Sequence, residues 1–502
     1  MKRKKLWFGL SGLALLVLGF FLHNLRPYKP LLVVSSAASC QMRVDVVEPI
    51  EGTPQGYVVL FHGVAANKRI MSYLAQDLAN QNLRVFVPDA PGHGKTPGPF
   101  WPSRASDCGE AFVRELIERR AIVPERTILA GHSMGGAIAI RVSARVPVAG
   151  VIAISPAPMK PTSVVSKEML PFPDDVPLQK NSLVMRGTRE PKNLRDSARQ
   201  MVLDVNDPTS SYVEIPGASH VSLLFDGTVL SEMREWTKRL LGTDDVVVRA
   251  SHWPVYGTLT GFVGLILLCV PFVAEIAGGA GKEIQKEETP GILPSRALLQ
   301  VAAAAVVAAM CLKLWIPLRA IRLFQGDYLA SLFLVAGFVL LAMNVGETRN
   351  ALKSSWRGTI AAGIGAIVVF LLLAIWSDYS FYEAWPNVPR WTRMAPLTAA
   401  FLPWMFAEEI FLGAHATNAR VRRLVTALTY RGIVWAAGVA ALLFLHSGQI
   451  LIVLLAVYFV IVTVLQRLAM DVVRRETQSP TAAAVFGAIL SAGFSLAIFP
   501  LA

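Results

Sequence analysis

A serine between two glycines is the residue of this chain whose surroundings most clearly indicate chemistry. Residues 127–145 contain an apolar run, then Gly-His-Ser-Met-Gly at 131–135, then a helical pattern. A strand, a sharp turn and a helix expose a serine hydroxyl as a nucleophile, and the positive end of the helix dipole lies beside it. Glycines on both sides let neighbouring backbone approach closely. We therefore predict that Ser133 is a nucleophile, the alternative being a chance match in a loop.

Strand-like and helix-like segments alternate around this serine. Short β-rich runs occupy 57–61, 84–87, 126–130, 150–154, 182–185 and 212–215. Helical patterns lie near 67–81, 104–121, 134–145, 194–204 and 222–241. Such alternation predicts a parallel sheet with helices on both faces. Catalytic residues should then gather at the carboxyl ends of the strands.

Four motifs in order make residues from about 40 to 241 resemble the α/β-hydrolase fold, of the esterase and monoglyceride-lipase kind. Besides the serine motif, Phe-His-Gly-Val at 61–64 resembles the His-Gly-x loop of that family. Asp-Ala-Pro-Gly-His-Gly at 89–94 resembles its D-x-x-G-H-G turn, and His220 follows the last strand. The resemblance implies a doubly wound, mostly parallel sheet and a serine hydrolase of the esterase or lipase type.

The resemblance also implies roles for matched residues. His220 would take the proton of Ser133 and return it to the leaving group. Backbone N–H groups of Val64 and Met134 would form the oxyanion hole. The remaining histidines of these motifs are interpreted as loop-shaping residues, namely His62, His93 and His132.

The acid that orients His220 is less clearly marked. Where the family usually has an aspartate after a strand, this chain has Glu190, and the family accepts either acid. We predict Glu190 as the third catalytic residue. Arg189 could instead hold Glu190 in a surface salt bridge, which would leave Asp204 or Asp207 as the acid.

Composition predicts a second, membrane-embedded part. The 502 residues are 53% hydrophobic, and their mean hydropathy is +0.47, which is typical of a polytopic membrane protein. We expect a transmembrane anchor in 1–30, a hydrolase domain in 31–250 and an all-α multi-span transmembrane domain in 251–502. A cleaved signal peptide is the alternative for the first segment. About eight later spans are expected at 255–277, 297–316, 328–346, 358–377, 396–414, 432–448, 450–469 and 481–501.

Charge distribution indicates how the chain is placed. Residues 31–250 hold 24 Lys and Arg against 23 Asp and Glu, so the net charge of +13 arises elsewhere, which argues against a nucleic-acid partner. Basic residues recur in alternate loops, among them Lys282, Lys286, Arg349, Arg357, Arg420, Arg423, Arg431 and Arg474. By the positive-inside rule these loops are cytoplasmic and the hydrolase domain is extracytoplasmic, on the periplasmic side of a bacterial inner membrane.

The cysteines agree with that location. Cys40 and Cys108 lie in the hydrolase domain, where an oxidising compartment would allow a disulfide; the sequence leaves this open. Cys269 and Cys311 lie in apolar spans as expected small buried hydrophobes. No Cys and His spacing suggests a zinc site, and we expect neither a metal nor another cofactor.

Two adjacent carboxyls, Glu408 and Glu409, lie inside an apolar span, and His446 lies near the end of the next block. Ionisable groups at such depth are candidates for function. The pair faintly resembles the first motif of intramembrane glutamic endopeptidases, although Gly413 stands where that pattern has arginine. A polar contact between helices is the alternative interpretation.

The predicted substrate is an ester of a membrane lipid or a lipid-linked acyl group, because the bilayer is the expected partner of an anchored domain. Only 26 residues separate 155 from 182, so any lid is short. Apolar residues there could contact an acyl chain: Met159, Val164, Val165, Met169, Leu170 and Phe172.

An aromatic loop at 379–391 is expected at the headgroup level, or docked against the hydrolase domain. Alternatives are a non-catalytic assembly module, or a membrane domain with its own transport or protease role.

Overall fold

The computed structural model describes residues 2–25, 31–34, 40–49, 53–161, 170–172, 176–243, 250–279, 294–352, 356–413, 420–445 and 448–502. The chain forms two compact units. One unit, called here the sheet unit, comprises His23–Val255, Asp378–Glu383 and Pro500–Ala502. The other, the helical unit, comprises Met1–Leu22, Tyr256–Ser377 and Ala384–Phe499. Two short segments from the C-terminal half of the chain therefore belong to the sheet unit.

The described residues of the sheet unit form a sheet of eight strands. After helix α1 (Lys2–His23) they are β1 (Leu31–Val34), β2 (Arg43–Val47), β3 (Gly56–Phe61), β4 (Leu83–Pro88), β5 (Thr127–His132), β6 (Gly150–Ile154), β7 (Ser182–Gly187) and β8 (Ser211–Ile215). Their order is β1-β2-β4-β3-β5-β6-β7-β8. Strands β3 to β8 are parallel to one another, whereas β2 runs antiparallel to both of its neighbours, β1 and β4. The predicted α/β-hydrolase sheet, doubly wound and mostly parallel, is confirmed.

Strands β1 and β2 were absent from the six predicted strands. In β2 the charged residues Arg43 and Asp45 alternate with valines, so the segment lacks the continuous apolar run of the inner strands. It pairs with β4 from Val44↔Pro88 to Val47↔Val85. The inner strands are continuous apolar runs because a parallel sheet is covered on both faces.

The helices that connect the parallel strands return the chain to the same end of the sheet each time, so the carboxyl ends of these strands lie at one edge. The helices are α2 (Ser72–Ala79), α3 (Pro102–Glu118), α4 (Met134–Ser143), α5 (Lys192–Val205) and α6 (Gly227–Leu241). Every residue of β5 and α4 is buried, so the turn between them is held firmly. Residues following β3, β5, β6, β7 and β8 therefore meet at this edge, as expected for a parallel sheet.

A disulfide joins Cys40, just before β2, to Cys108 in α3. Their Cα atoms are 5.6 Å apart, and 68 positions separate them in the sequence. The pairing that the sequence left open is therefore formed. A crosslink between distant positions stabilises a fold mainly by restricting the unfolded chain.

The helical unit contains long apolar helices. The long and short helices described in the C-terminal half are α7 (Trp253–Gly279), α8 (Pro294–Leu314), α9 (Gly326–Met343), α10 (Val345–Ala351), α11 (Trp356–Ser380), α12 (Val388–Trp391), α13 (Met394–Leu412), α14 (Arg420–Leu445), α15 (Leu451–Leu454), α16 (Ala456–Thr477) and α17 (Pro480–Ile498). Within the described ranges, nine helical segments are long and apolar enough to cross a membrane, α12 and α13 counting as one. Cys269 is half-buried and Cys311 is exposed, so the expected burial of Cys311 is wrong: its side chain lies on the outside of α8.

The largest departure from the predicted spans concerns 432–448 and 450–469. Helix α14 begins at Arg420, twelve residues earlier than expected, and α16 begins only at Ala456. Arginines at 423 and 431 were assigned to a loop, but they lie on α14 and are buried. An apolar helix can include a charged side chain when an opposite charge on a neighbouring helix pairs with it.

We expect Cys108→Ser to lower the free energy of unfolding by about 2–4 kcal/mol, because it releases a long loop of the unfolded chain. Thermal unfolding of the full-length protein, followed by tryptophan fluorescence, should show a lower Tm. Cys269→Ala, which removes a thiol outside the disulfide, is the control and should leave the Tm near wild type. An unchanged Tm in Cys108→Ser would contradict a stabilising role for the bridge.

Candidate active site

Ser133 occupies a strained turn between β5 and α4. Its backbone has φ 56° and ψ −119°, which a residue other than glycine adopts only where the surroundings hold it. Its N–H donates to Ile154 O over 2.9 Å, and its carbonyl oxygen accepts from Ala157 N over 2.8 Å. A side chain at Gly131 would collide with the backbone of Gly135, and one at Gly135 with Phe61 O. Both glycines are thus required by close backbone approach.

Three predicted residues form a continuous hydrogen-bonded series. His220 Nε2 lies 3.0 Å from Ser133 Oγ, and His220 Nδ1 lies 2.8 Å from Glu190 Oε1. Ser133 follows β5, Glu190 follows β7 and His220 follows β8. Ser133 and Glu190 are buried, whereas the His220 side chain is 29% exposed. The imidazole therefore lies between a buried acid and a serine hydroxyl.

Two residues that the sequence analysis missed complete the surroundings of Glu190. Ser155, at the carboxyl end of β6, donates its hydroxyl proton to Glu190, and its Oγ lies 2.7 Å from His220 Nδ1. Arg186, in β7, places Nη1 3.2 Å from Ser155 Oγ and 3.3 Å from Glu190 Oε1. The signal available in the sequence was an arginine inside an otherwise apolar strand, four residues before the acid. Arg189, considered as the partner of Glu190, is exposed instead.

These contacts keep Glu190 ionised. Burial alone would raise its pKa, but the hydrogen bond from His220 and the charge of Arg186 lower the pKa to about 2. Its second oxygen accepts from Gly187 N over 3.0 Å. An ionised carboxylate fixed in this way can orient the imidazole and stabilise an imidazolium.

The two alternative acids lie elsewhere. Asp204, on α5, accepts from Gln200 Nε2 over 2.7 Å. Asp207 accepts from Asn181 N over 2.9 Å and from Ser210 Oγ over 2.7 Å. Asp207 is thus engaged at the amino end of β7, opposite the edge at which Ser133 lies, and Asp204 is bonded within its own helix. Of the three acids considered, the structure brings Glu190 to His220.

The other histidines of the motifs support loops. His132 is buried, and burial together with the nearby His220 lowers its pKa to about 3, so its Nε2–H donates to His220 O over 2.7 Å. Burial likewise lowers the pKa of His62 to about 4. His62 Nδ1 donates to Gly63 O over 2.8 Å, and its Nε2 accepts from Ala90 N over 2.9 Å. His93 Nδ1 lies 3.1 Å from Pro91 O.

The residues predicted to supply the oxyanion donors lie close to the serine. A Cβ built on Gly63 would lie 3.2 Å from Ser133 Cβ, so the loop carrying Val64 passes directly beside the nucleophile. Met134 is the first residue of α4, where backbone N–H groups have no partner within the helix. Donors on both sides of a serine hydroxyl can stabilise a developing oxyanion.

The predicted acyl-contact segment is described in part. Val164, Val165 and Met169 lie outside the described residues. Met159 and Phe172 are described, and both are buried. Among the residues that the structure does describe, no group of His, Cys, Asp and Glu side chains could hold a metal ion.

Glu408 and Glu409 lie in a buried ion-pair network within the helical unit. Glu408 on α13 accepts from Arg431 of α14 over 2.7 and 2.9 Å, and from Arg467 of α16 over 3.0 Å. Glu409 pairs with Arg467 over 2.5 Å and with Arg423 of α14 over 3.5 Å. The two carboxylates thus connect three helices, and three of the basic residues assigned to cytoplasmic loops are their partners, namely Arg423, Arg431 and Arg474. His446 lies outside the described residues.

Together the sheet and the site define a class of protein: the chain contains an α/β-hydrolase domain. Its residues 58–263 match the sequence profile described as the alpha/beta hydrolase family.

Particular relatives match only part of the chain. Monoglyceride lipase of Rattus norvegicus is 38% identical over 112 residues, which is 21% of this chain and 36% of the relative. Esterase YjfP of Escherichia coli is 30% identical over 105 residues, which is 19% of this chain and 42% of the relative. A solved structure of a soluble variant of monoglyceride lipase from Saccharomyces cerevisiae covers 44% of this chain and 99% of its own, with 16% identity and a TM-score of 0.35. The chain therefore spans about two fifths or less of the length of these two curated relatives.

The lowered pKa of Glu190 gives a pH dependence of stability. A carboxyl whose pKa is lower in the folded chain than its ordinary value of 4.5 stabilises the fold above that value, and this contribution is lost as the pH falls towards about 2. We expect Glu190→Gln to reduce the slope of Tm against pH between pH 4.5 and 2. Asp204→Asn, which removes a surface carboxylate, is the control and should keep the wild-type slope. Equal slopes in wild type and Glu190→Gln would contradict the assignment.

Proposed function

We propose that this chain is a membrane-anchored serine hydrolase that cleaves a carboxylic ester through an acyl-enzyme intermediate. The proposal rests chiefly on the hydrogen-bonded series from Ser133 Oγ through His220 to Glu190. In acylation, His220 Nε2 takes the hydroxyl proton while Ser133 Oγ attacks the ester carbon. His220 then gives that proton to the departing alkoxide, and the acyl group stays on Ser133.

Deacylation repeats these steps with water. His220 takes a proton from water, the resulting hydroxide attacks the acyl carbon, and the proton returns to Ser133 as the acid product leaves. In both steps the tetrahedral oxyanion would accept hydrogen bonds from the N–H groups of Val64 and Met134. Glu190 stays ionised throughout and stabilises the imidazolium, in agreement with its low pKa. We assign neither a metal nor a cofactor to this reaction.

For the substrate we propose an ester of a membrane lipid or a lipid-linked acyl group. Nine helices of the described chain are compatible with a multi-pass membrane protein, so the bilayer would be the nearest source of esters. Two of the matched relatives named above are a monoglyceride lipase and an esterase. These names support an ester substrate without choosing its acyl chain or headgroup.

We further propose that the hydrolase domain lies on the extracytoplasmic side, in the periplasm of a bacterial cell with the helices in the inner membrane. The Cys40–Cys108 disulfide supports an oxidising compartment. The loop charges support the same orientation, although Arg423, Arg431 and Arg474 no longer contribute to that argument because all three pair with buried carboxylates. Since Glu408 and Glu409 are paired with arginines, we propose no protease role for the helical unit.

Ser133→Ala should lower kcat for a monoacylglycerol and for a soluble p-nitrophenyl ester by about 10⁴-fold or more, because nothing else in the site replaces the nucleophile. The assay is steady-state hydrolysis by the full-length protein in detergent. Ser231→Ala, on α6, is the matched control and should retain wild-type kcat. Hydrolysis by Ser133→Ala at the wild-type rate would contradict the proposed function and favour the non-catalytic alternative.

The lipid assignment has a separate test. Cells producing the Ser133→Ala chain should accumulate an ester-bearing lipid that cells producing the wild-type chain do not, because its hydrolysis has stopped. Mass-spectrometric profiling of total membrane lipid would identify it. Identical lipid profiles, together with hydrolysis of soluble esters by the wild-type protein, would contradict the lipid assignment and indicate a soluble substrate.

A further inference from the structure

The loop that carries Val64 is held by a segment that is more than 300 residues away in the sequence. This segment, 378–383, belongs to the sheet unit and is called here the strap. Ala65, next to Val64, has φ 57°, a left-handed conformation that alanine rarely adopts. Tyr382 of the strap donates its hydroxyl proton to Ala65 O over 3.0 Å. A residue in such a conformation requires surrounding contacts to keep it there.

The other end of the same loop is held by buried charges. Lys68 donates its backbone N–H to Asp89 Oδ1 over 2.7 Å. Its ammonium donates to Asp89 Oδ2 over 2.7 Å and to Glu383 Oε1, on the strap, over 2.5 Å. Lys68 is 1% exposed, Asp89 is fully buried and Glu383 is 7% exposed. Such charges are tolerated in the interior only when partners hold them.

Glu383 also connects the loop to the turn that follows β4. Its second oxygen accepts from Lys95 N over 3.1 Å, so one carboxylate ties the Lys68 ammonium to that turn. A side chain at Gly94 would collide with both Glu383 Oε2 and Asp89 Oδ2. Burial raises the pKa of Asp89. Burial also acts to raise the pKa of Glu383, but the charge of Lys68 and the hydrogen bonds from Asp89 and Lys68 together lower it.

We propose that Tyr382 and Glu383 are positioning residues for the oxyanion hole: the strap holds the loop of residues 64–68 at Ala65 and at Lys68, and thereby directs the N–H of Val64 towards the reacting oxygen. This inference rests on the proposed function of Ser133. Tyr382 and Glu383 are bonded to this loop. Each acts through the loop, so loss of either contact should weaken stabilisation of the transition state and leave binding of the substrate intact.

The strap offers a matched control within six residues. Asp378 is also acidic, but it pairs with the Lys95 ammonium, whose side chain is 39% exposed. Tyr382→Phe removes a single hydroxyl and keeps the ring. Glu383→Gln keeps the shape of the carboxylate and removes its charge. Asp378→Asn makes the same change where no effect on the loop is expected.

The experiment compares these three variants in the full-length protein. Active sites are first titrated with a fluorophosphonate, and kcat and KM for a p-nitrophenyl ester are then expressed per reactive site. Tyr382→Phe and Glu383→Gln should each lower kcat about 10-fold, below the 10²–10³ that complete loss of an oxyanion donor costs. KM should stay within about twofold, and the pH profile should keep its shape, because His220 and Glu190 are unchanged. Asp378→Asn should match wild type.

Each other outcome is decisive. Wild-type kcat per reactive site in both Tyr382→Phe and Glu383→Gln would overturn the inference, as would a raised KM with unchanged kcat. A loss that disappears after titration would show that the strap only stabilises the fold, which also overturns it. If Glu383→Gln does not fold, Tyr382→Phe alone decides. Failure of the proposed function would be seen differently, as full activity in Ser133→Ala.

Discussion

Close approach of main chain to main chain at the Ser133 turn is the constraint on which the rest of the structure depends. Gly131 and Gly135 let β5 and α4 meet without side chains between them, and the serine backbone takes a positive φ as a result. Only this turn places Oγ at the carboxyl edge of the sheet, where residues after β7 and β8 can reach it. The acid, the imidazole and the oxyanion loop are all arranged around that position.

Around this turn, charge is buried only with partners. Arg186 and Ser155 surround Glu190, and Lys68 lies between Asp89 and Glu383. Removing one member of such a group leaves another charge buried without its partner, which costs several kcal/mol. Both groups therefore fix geometry as well as carry charge. One fixes the imidazole, and the other fixes the loop beside the nucleophile. In the helical unit, Glu408 and Glu409 follow the same rule with arginines from neighbouring helices.

Much of this was predictable because local sequence carries local geometry. The glycines around Ser133 predicted the turn that carries this serine. The alternation of apolar runs with helical patterns predicted the sheet. Arg186 was missed because its role depends on which strand ends lie side by side, which spacing along the chain does not specify. The strap was missed as a partner of Lys68 for the same reason, since 315 residues separate Lys68 from Glu383. The predicted start of α14 was too late because its arginines were interpreted as loop charges. Their carboxylate partners lie on other helices, which the local sequence does not indicate.

The central claim is that the Ser133 hydroxyl, the His220 imidazole and the N–H groups of Val64 and Met134 converge on one point. The most direct measurement is an experimental structure of the full-length protein after reaction with a fluorophosphonate. The account predicts phosphorus bonded to Ser133 Oγ, with the phosphoryl oxygen about 3 Å from the backbone nitrogens of Val64 and Met134. An unmodified Ser133, or a phosphoryl oxygen directed away from both nitrogens, would contradict it.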